Sequence, residues 1–163
     1  MFEVYVLVEK RKPAVFTFFA VFSIVMAILS VMALVLGIYF FLPTAVFGFL
    51  LGYFFHTRNY EYEYSFFDDD VRFAKIINKA RRKKLPGYKM SEVIMIAPTG
   101  DRSVYNYEND SKAKIRRLNS GFPNAKVYVM VAKGEKGTEL VYFEPDEKYL
   151  DAVCVKNGHK VKR

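Results

Sequence analysis

The sequence contains one cysteine and two histidines, and it has no tryptophan. A single cysteine, Cys154, excludes an intramolecular disulfide and a four-thiolate metal site. The histidines, His56 and His159, have no paired spacing, and neither stands at a distance from Cys154 that suggests a base for a nucleophile. Neither a metal site nor a cysteine nucleophile is therefore predicted, and Cys154 is interpreted as a core residue of an apolar helical stripe.

Charge is missing from one long segment. The 42 residues from Ala14 to Phe55 contain no Asp, Glu, Lys, Arg or His. A single helix of this length would be about 63 Å long, roughly twice the ~30 Å hydrocarbon core of a bilayer. Gly37 and Pro43 bracket the segment GIYFFLP, where one helix can end and another can begin. We expect a transmembrane helical hairpin over residues 13–56, with spans at about 13–36 and 40–56.

Cations flank this segment but are absent from its predicted turn. Lys10, Arg11 and Lys12 precede the first span, and Arg58 follows the second. The positive-inside rule then predicts a multi-pass protein of the cell membrane with both termini in the cytoplasm. Residues 1–12 would form a cytoplasmic N-terminal segment. Their alternating pattern fits either a strand or an amphipathic lead-in to the first helix.

Residues 57–163 have the patterns of a second, cytoplasmic domain. Tyr60, Tyr62, Tyr64 and Phe66 alternate with polar residues, and an aspartate turn then leads into a second strand. We predict a buried strand in SEVIMIAPTG, a short basic helix in YENDSKAKIRRLNSG, a hairpin around GEKG and a C-terminal helix in PDEKYLDAVCVKNG. The expected fold class is α+β: the two-helix transmembrane hairpin, followed by an antiparallel β-roll that the C-terminal helix closes.

Three segments carry a resemblance that covers nearly the whole chain. EYEYSFFDDDVRFAKIINKARRKKL, VIMIAPTG and VYFEPDEKYLDAV resemble a family of small two-span membrane proteins of unknown function from Gram-positive bacteria. The resemblance implies a cytoplasmic domain similar to bacterial pleckstrin-homology-like (PH-like) domains, with a seven-strand roll and a closing helix. It implies no catalytic residues. Relatives tend to carry Gly-Ser-His after the Ala-Pro, where this chain has Thr99, Gly100, Asp101 and Arg102, so no histidine role is carried over.

Motifs that would indicate an enzyme are missing. The sequence contains no G-x-x-x-x-G-K-[ST] and no G-x-G-x-x-G, the loops that cradle phosphates. Asp68, Asp69 and Asp70 are interpreted as a turn, since adjacent residues of an extended chain point in alternate directions and a Ca²⁺ site needs 6 to 8 converging oxygens. We expect no enzymatic activity, no cofactor and no metal.

Positive charge is the strongest remaining signal. From His56 onward there are 22 cations and 15 acids. The clusters are expected to contact anionic membrane lipid or a protein partner, although they could equally serve only topology and solubility. Nucleic acid is disfavoured because the neighbouring aromatics follow a core pattern. The predicted contact residues are Lys79, Arg81, Arg82, Lys83, Lys84, Lys112, Lys114, Arg116 and Arg117, with a basic tail of Lys156, Lys160, Lys162 and Arg163.

The predicted function is a non-enzymatic, membrane-anchored binding module, and the alternative is a structural or regulatory subunit or adaptor of a larger membrane complex. Thr44, Gly48 and Gly52 recur every four residues in the predicted second span. Small residues at this spacing allow close helix packing, either within the hairpin or between protomers of a homo-oligomer.

Overall fold

The structure is a computed structural model that describes residues 3–11, 14–35, 46, 48–51, 53, 59–134 and 137–163. The chain divides into two compact units. The first consists of Met1–Lys10 and Tyr60–Arg163, and the second of Arg11–Asn59. The N-terminal segment therefore belongs to the same unit as the residues that follow position 59.

The first sheet is antiparallel and begins with the N-terminal segment. Strand β1 (Val4–Glu9) pairs with β2 (Tyr60–Phe67), which pairs with β3 (Asp70–Ile77). The other edge of β3 pairs with β4 (Arg81–Lys84) and then with the short β5 (Tyr88–Lys89). Of the two interpretations of residues 1–12, the structure shows the strand.

The second sheet has the order β6-β8-β9-β7. Its strands are β6 (Val93–Pro98), β7 (Lys114–Arg117), β8 (Tyr128–Gly134) and β9 (Gly137–Phe143). Most pairs are antiparallel, but β7 runs parallel to β9. The expectation of a wholly antiparallel roll is therefore wrong at β7.

Aromatic rings form the centre of the core. Tyr64, Phe73 and Phe143 make mutual edge-to-face contacts with ring centroids 5.6–5.9 Å apart. Tyr149 adds to this cluster from helix α3 (Glu147–Asn157), with its ring 6.0 Å from that of Phe143. Edge-to-face pairs add about 0.5–1.5 kcal/mol each beyond the area they bury. The C-terminal helix is thus confirmed as a closing element of the core.

Helix α3 begins as its sequence predicts. Asp146 is the N-cap, and its Oδ1 accepts a hydrogen bond of 2.8 Å from the backbone N–H of Tyr149. Such a cap stabilises a helix by about 1 kcal/mol. Leu150 and Val153 are buried from the apolar stripe of the helix, whereas Cys154 is only half-buried. The interpretation of Cys154 as a core residue is therefore only partly met.

The predicted short basic helix is wrong. Within YENDSKAKIRRLNSG the structure forms the end of a one-turn helix α2 (Tyr105–Glu108) and then the strand β7. Lys114–Arg117 pairs with β9 in parallel, so strand pairing with a neighbour overrides the local helical signals.

The second unit contains helix α1 (Ala14–Val35), which carries no charged residue. Several of its large apolar side chains are exposed, among them Phe18, Ile24 and Met32. The structure does not describe every side chain of α1, and across the described residues no helix is both long enough and apolar enough to cross a membrane. This finding contradicts the predicted two-helix transmembrane hairpin and the predicted multi-pass location in the cell membrane. The predicted second span, 40–56, lies largely outside the described residues.

The fold class is corrected accordingly. In the described residues the structure is mostly β, with two sheets and a C-terminal helix in the first unit. The two-helix hairpin at residues 13–56 is not part of the fold that these residues show.

Candidate functional site

The hairpin of β3 and β4 presents the first predicted cluster of cations. Strand β4 has the sequence RRKK, and all four of its residues are exposed at the edge of the sheet. Its register with β3 places Arg81 opposite Ile77, Arg82 opposite Ile76, Lys83 opposite Lys75 and Lys84 opposite Ala74. Because side chains alternate along a strand, the cluster divides between the two faces of the sheet.

One of these faces, the basic face, is defined by Lys75, Arg81 and Lys83. Lys75 and Lys83 are directly opposite each other, an arrangement of like charges that destabilises a sheet. The Lys75 Nζ also lies 3.7 Å from the centroid of the Tyr60 ring, in a cation–π contact. The register therefore brings three cations to the same face of the hairpin.

The other face carries Arg82 and Lys84. Arg82 Nη2 donates a hydrogen bond of 2.5 Å to Glu63 Oε1, whose side chain is 17% exposed. In the described part of the chain, Arg81, Lys83 and Lys84 have no carboxylate within ion-pair distance. Their charges are therefore available to an external anion.

Lys79 lies at the tip of the same hairpin, in a strained backbone conformation. Asn78 and Lys79 have φ of 52° and 55°, the left-handed region that favours glycine. Asparagine is found in this region more often than most residues, whereas lysine rarely adopts it. The Lys79 Nζ is 3.9 Å from Glu61 Oε1, and the side chain is 77% exposed. The turn thus keeps a cation where Asn-Gly would be the usual pair.

The second predicted cluster has a different arrangement. Lys114 and Arg116 point to Glu139 on β9: Arg116 Nε donates to Glu139 Oε2 at 2.8 Å, and Lys114 Nζ lies 3.6 Å from Oε1. Lys112 and Arg117 are exposed. Two of the four cations in this cluster, Lys114 and Arg116, are therefore engaged in ion pairs with Glu139.

Glu139 connects the two sheets. The Tyr88 hydroxyl on β5 donates a hydrogen bond of 2.5 Å to Glu139 Oε2, which Arg116 on β7 also contacts. The hydrogen bond from Arg116 lowers the pKa of Glu139 and raises that of Arg116. Burial, and then the hydrogen bond to Glu139, raises the pKa of Tyr88. The arrangement holds β5 against the second sheet.

Sequence reasoning missed Glu139 and the glycine beside it. A Cβ on Gly134 would lie 2.7 Å from Glu139 Cγ, closer than real side chains approach. One feature of the sequence could have indicated this site. Glu139 is an acid within the otherwise apolar strand GTELVYF, and the neighbouring strand β8 ends in Lys133 and Gly134. A buried acid in such a strand requires partners, which the basic segment KIRR supplies.

The three aspartates of the first hairpin form the predicted turn. Asp68 and Asp69 have φ of 46° and 65°, and they connect Phe67 to Asp70 in a two-residue loop. Lys156 Nζ lies within 3.9 Å of both carboxylates, and Asn157 Nδ2 donates to Asp69 Oδ1 at 3.0 Å. In the described ranges, no group of three or more His, Cys, Asp or Glu is placed to hold a metal.

An apolar cleft lies beside this turn, apart from the basic face. It has a volume of about 480 Å³ and is lined by the start of β1, the end of β2 and α3. Val4, Phe66, Ala152 and Val155 form most of its apolar wall. Its volume falls within the range of pockets that bind small molecules.

The small residues predicted for helix packing are only partly described. Gly48 lies close to Ser23 within the second unit, and a Cβ on Gly48 would be 3.6 Å from Ser23 Cβ. Ser23 is buried. Thr44 and Gly52 lie outside the described residues, as does His56.

Comparison with known proteins gives one match. A family described as a bacterial PH-like domain matches residues 2–163 of the chain. No curated protein and no solved structure matches. The predicted resemblance to bacterial PH-like domains is confirmed, whereas the assignment to a two-span membrane family is not.

Proposed function

Because the chain belongs to the family of bacterial PH-like domains, we propose that the protein is a non-enzymatic binding module and that the β3–β4 hairpin contacts anionic lipid headgroups. The observation that carries the proposal is the group of Arg81, Lys83 and Lys84 on an exposed edge strand, where none of them has a carboxylate partner among the described residues. Family membership is consistent with a binding role, but it does not identify the ligand.

The electrostatics of the hairpin favour a surface with several negative charges. Lys83 opposes Lys75, and Lys79 is held at the tip despite its unfavourable φ. Cations at neighbouring positions of one hairpin favour contact with a surface that carries several negative charges. Each cation close to an anionic lipid surface contributes about 1 kcal/mol at physiological ionic strength.

Sedimentation with liposomes tests the proposal. The full chain should be used, since a fragment that begins at His56 would lack β1. Phosphatidylglycerol vesicles supply the anionic headgroup, and phosphatidylcholine vesicles give the background binding of the rest of the chain. Binding to the anionic vesicles should exceed this background and should fall as salt is added.

Two triple variants with the same change in net charge locate the effect. Neutralisation of Arg81, Lys83 and Lys84 to Gln should weaken the salt-sensitive binding by up to about 100-fold, at about 1 kcal/mol per cation. Neutralisation of Lys126, Lys133 and Lys148, which are exposed elsewhere, should weaken it far less. If both variants lost the same affinity for anionic vesicles, binding would depend on net charge alone, and the proposal would be overturned.

Soluble anions separate a lipid surface from a free phosphate compound. If glycerol phosphate or inorganic polyphosphate displaces the protein at low concentration, the hairpin recognises a soluble ligand rather than a headgroup array. Absence of any salt-sensitive binding to anionic vesicles would overturn lipid contact, and the predicted alternative of a protein partner or adaptor role would then take its place.

A further inference from the structure

Among the described strands, the two sheets have four outer edges, and three of them are protected. The exposed strands β4 and β7 have the sequences RRKK and KIRR, and charged side chains discourage pairing with another chain. The edge of β6 is covered by the C-terminal tail: Lys162 N–H donates to Ile96 O at 2.8 Å, and Val161 bridges Ile96. Strand β1 is the exception.

Strand β1 has few of the features that protect an edge strand. Its sequence, VYVLVE, contains no cation and no proline. Within the described ranges it pairs only with β2. Tyr5 and Leu7 are 67% and 52% exposed on the outer face of the sheet. An apolar edge without protection is a template for another strand.

The main-chain groups at this edge can be assigned from one hydrogen bond. Lys10 N–H donates to Tyr60 O at 3.2 Å, so residues of even number direct their N–H and C=O groups to β2. By alternation, Tyr5, Leu7 and Glu9 direct theirs to the open edge. The backbone N–H and C=O groups of these three residues can therefore form hydrogen bonds with another strand.

We propose that β1 pairs antiparallel with β1 of a second copy of this chain, with the two-fold axis at Leu7. In this register Leu7 stands opposite Leu7 of the second copy, Tyr5 opposite Glu9, and Val6 opposite Val8. Two five-stranded sheets become one continuous sheet. The symmetric interface is self-complementary, as a two-fold dimer requires.

Charge decides between this register and its neighbour. A two-fold axis at Val6 would place Glu3 opposite Glu9 of the second copy, and like charges directly opposite are destabilising. The axis at Leu7 places Glu9 opposite Tyr5 instead, and it joins two exposed leucines. The Leu7 register therefore gains apolar contact without carboxylate repulsion.

Disulfide trapping in the full chain tests the register. In a Cys154→Ser background, Leu7→Cys would place two thiols in a hydrogen-bonded pair, with Cα atoms about 5.5 Å apart, within the range of a disulfide. Tyr5→Cys would be more than about 14 Å from its symmetry mate, at about 3.4 Å per residue along the strand and about 5 Å between the strands. Under mild oxidation, Leu7→Cys should form covalent dimers at least tenfold faster than Tyr5→Cys.

Ile115→Cys on β7 is the matched control, since Ile115 is 49% exposed on another edge strand. Equal rates for Leu7→Cys and Ile115→Cys would overturn the proposal. Faster crosslinking between Tyr5→Cys and Leu7→Cys chains than within Leu7→Cys chains would also overturn the register, because only the Val6 axis pairs these positions.

Sedimentation of the reduced protein gives an independent result that does not depend on lipid. The wild-type chain should dimerise, Leu7→Lys should weaken the dimer at least tenfold, and Ile115→Lys should leave it unchanged. A monomeric wild type, or a dimer that Leu7→Lys does not affect, would contradict the pairing. Lipid binding by the β3–β4 hairpin could persist in either case.

Discussion

Two fully buried tyrosines differ in how their hydroxyl groups are satisfied. Tyr64 Oη donates a hydrogen bond of 2.6 Å to the backbone oxygen of Leu118. Tyr149 Oη has no hydrogen-bond partner among the described residues. Burial raises the pKa of both phenols, so both remain neutral at physiological pH. A buried polar group without a partner costs about 1–3 kcal/mol.

Phenylalanine substitutions should therefore act in opposite directions. Tyr64→Phe removes this buried hydrogen bond and takes the hydroxyl donor away from the Leu118 oxygen, so it should lower the free energy of unfolding by about 1–3 kcal/mol. Tyr149→Phe removes only an unsatisfied hydroxyl and should leave stability unchanged or raise it. Denaturant unfolding of the two variants checks the difference. A loss in Tyr149→Phe as large as that in Tyr64→Phe would contradict the account.

Glu139 should make stability depend on pH at the acid end. Its pKa in the folded protein is lowered by Arg116, so the ionised carboxylate stabilises the fold above the ordinary pKa of about 4.3. This contribution is lost as the pH falls through the lowered pKa. Glu139→Gln should cost about 1–3 kcal/mol at neutral pH, and the difference from wild type should shrink below about pH 4.

Tyr88→Phe is the control for this pH dependence. It removes the hydroxyl that donates to Glu139 but keeps the contact with Arg116. The acid dependence should therefore persist in Tyr88→Phe. If Glu139→Gln lowered the free energy of unfolding by the same amount at pH 3 and at pH 7, the ionised form of Glu139 would not be what stabilises the fold.

At the scale of elements, the β3–β4 hairpin combines strain with charge. Lys79 has φ of 55° at a turn position that suits glycine. Lys79→Gly should raise the free energy of unfolding by about 0.5–1 kcal/mol, because glycine avoids the left-handed penalty but loses more entropy on folding. It should also weaken anionic vesicle binding about fivefold, the equivalent of about 1 kcal/mol for one cation.

Lys79→Gln separates these two effects. It keeps the strained backbone of the turn but removes the charge, so vesicle binding should fall as in Lys79→Gly while stability does not rise. If Lys79→Gly were stabilised with vesicle binding unchanged, Lys79 would have no part in anion contact.

Local patterns predicted the strongly alternating elements well. The hairpins at β2–β3 and β8–β9, the buried strand β6 and the helix α3 are confirmed, since each has periodicity and turn or cap residues that agree. The failure at β7 has a clear cause. KIRR is basic and carries little strand signal, but its parallel pairing with β9 and its contacts with Glu139 depend on residues more than 20 positions away.

The candidate surface was only partly predictable. The run of cations at Lys79–Lys84 is visible in the sequence, and the structure places four of its residues on the exposed strand β4, while their contact with lipid or a partner stays a prediction. The division of the run between two faces follows from the register with β3, which sets Lys83 opposite Lys75. Sequence alone could not show that Lys114 and Arg116 are engaged by Glu139.

At the scale of the whole molecule, the N-terminal strand changes the interpretation of the chain. Residues before the uncharged segment and residues after it form one sheet in one unit. The uncharged segment predicted a transmembrane hairpin, but no helix of the described residues meets the requirements for crossing a membrane. The central claim therefore concerns the first unit, whose β3–β4 hairpin we propose as the surface that contacts anionic headgroups.

Lysine acetylation with and without phosphatidylglycerol vesicles tests this claim most directly, because it measures the reactivity of each lysine separately in the wild-type chain. Lys79, Lys83 and Lys84 should become protected when vesicles are added, while Lys126, Lys133 and Lys148 should react as before. Mass spectrometry of the acetylated peptides gives both sets from one sample. Protection of the second set, or unchanged reactivity of the first, would contradict the proposed surface.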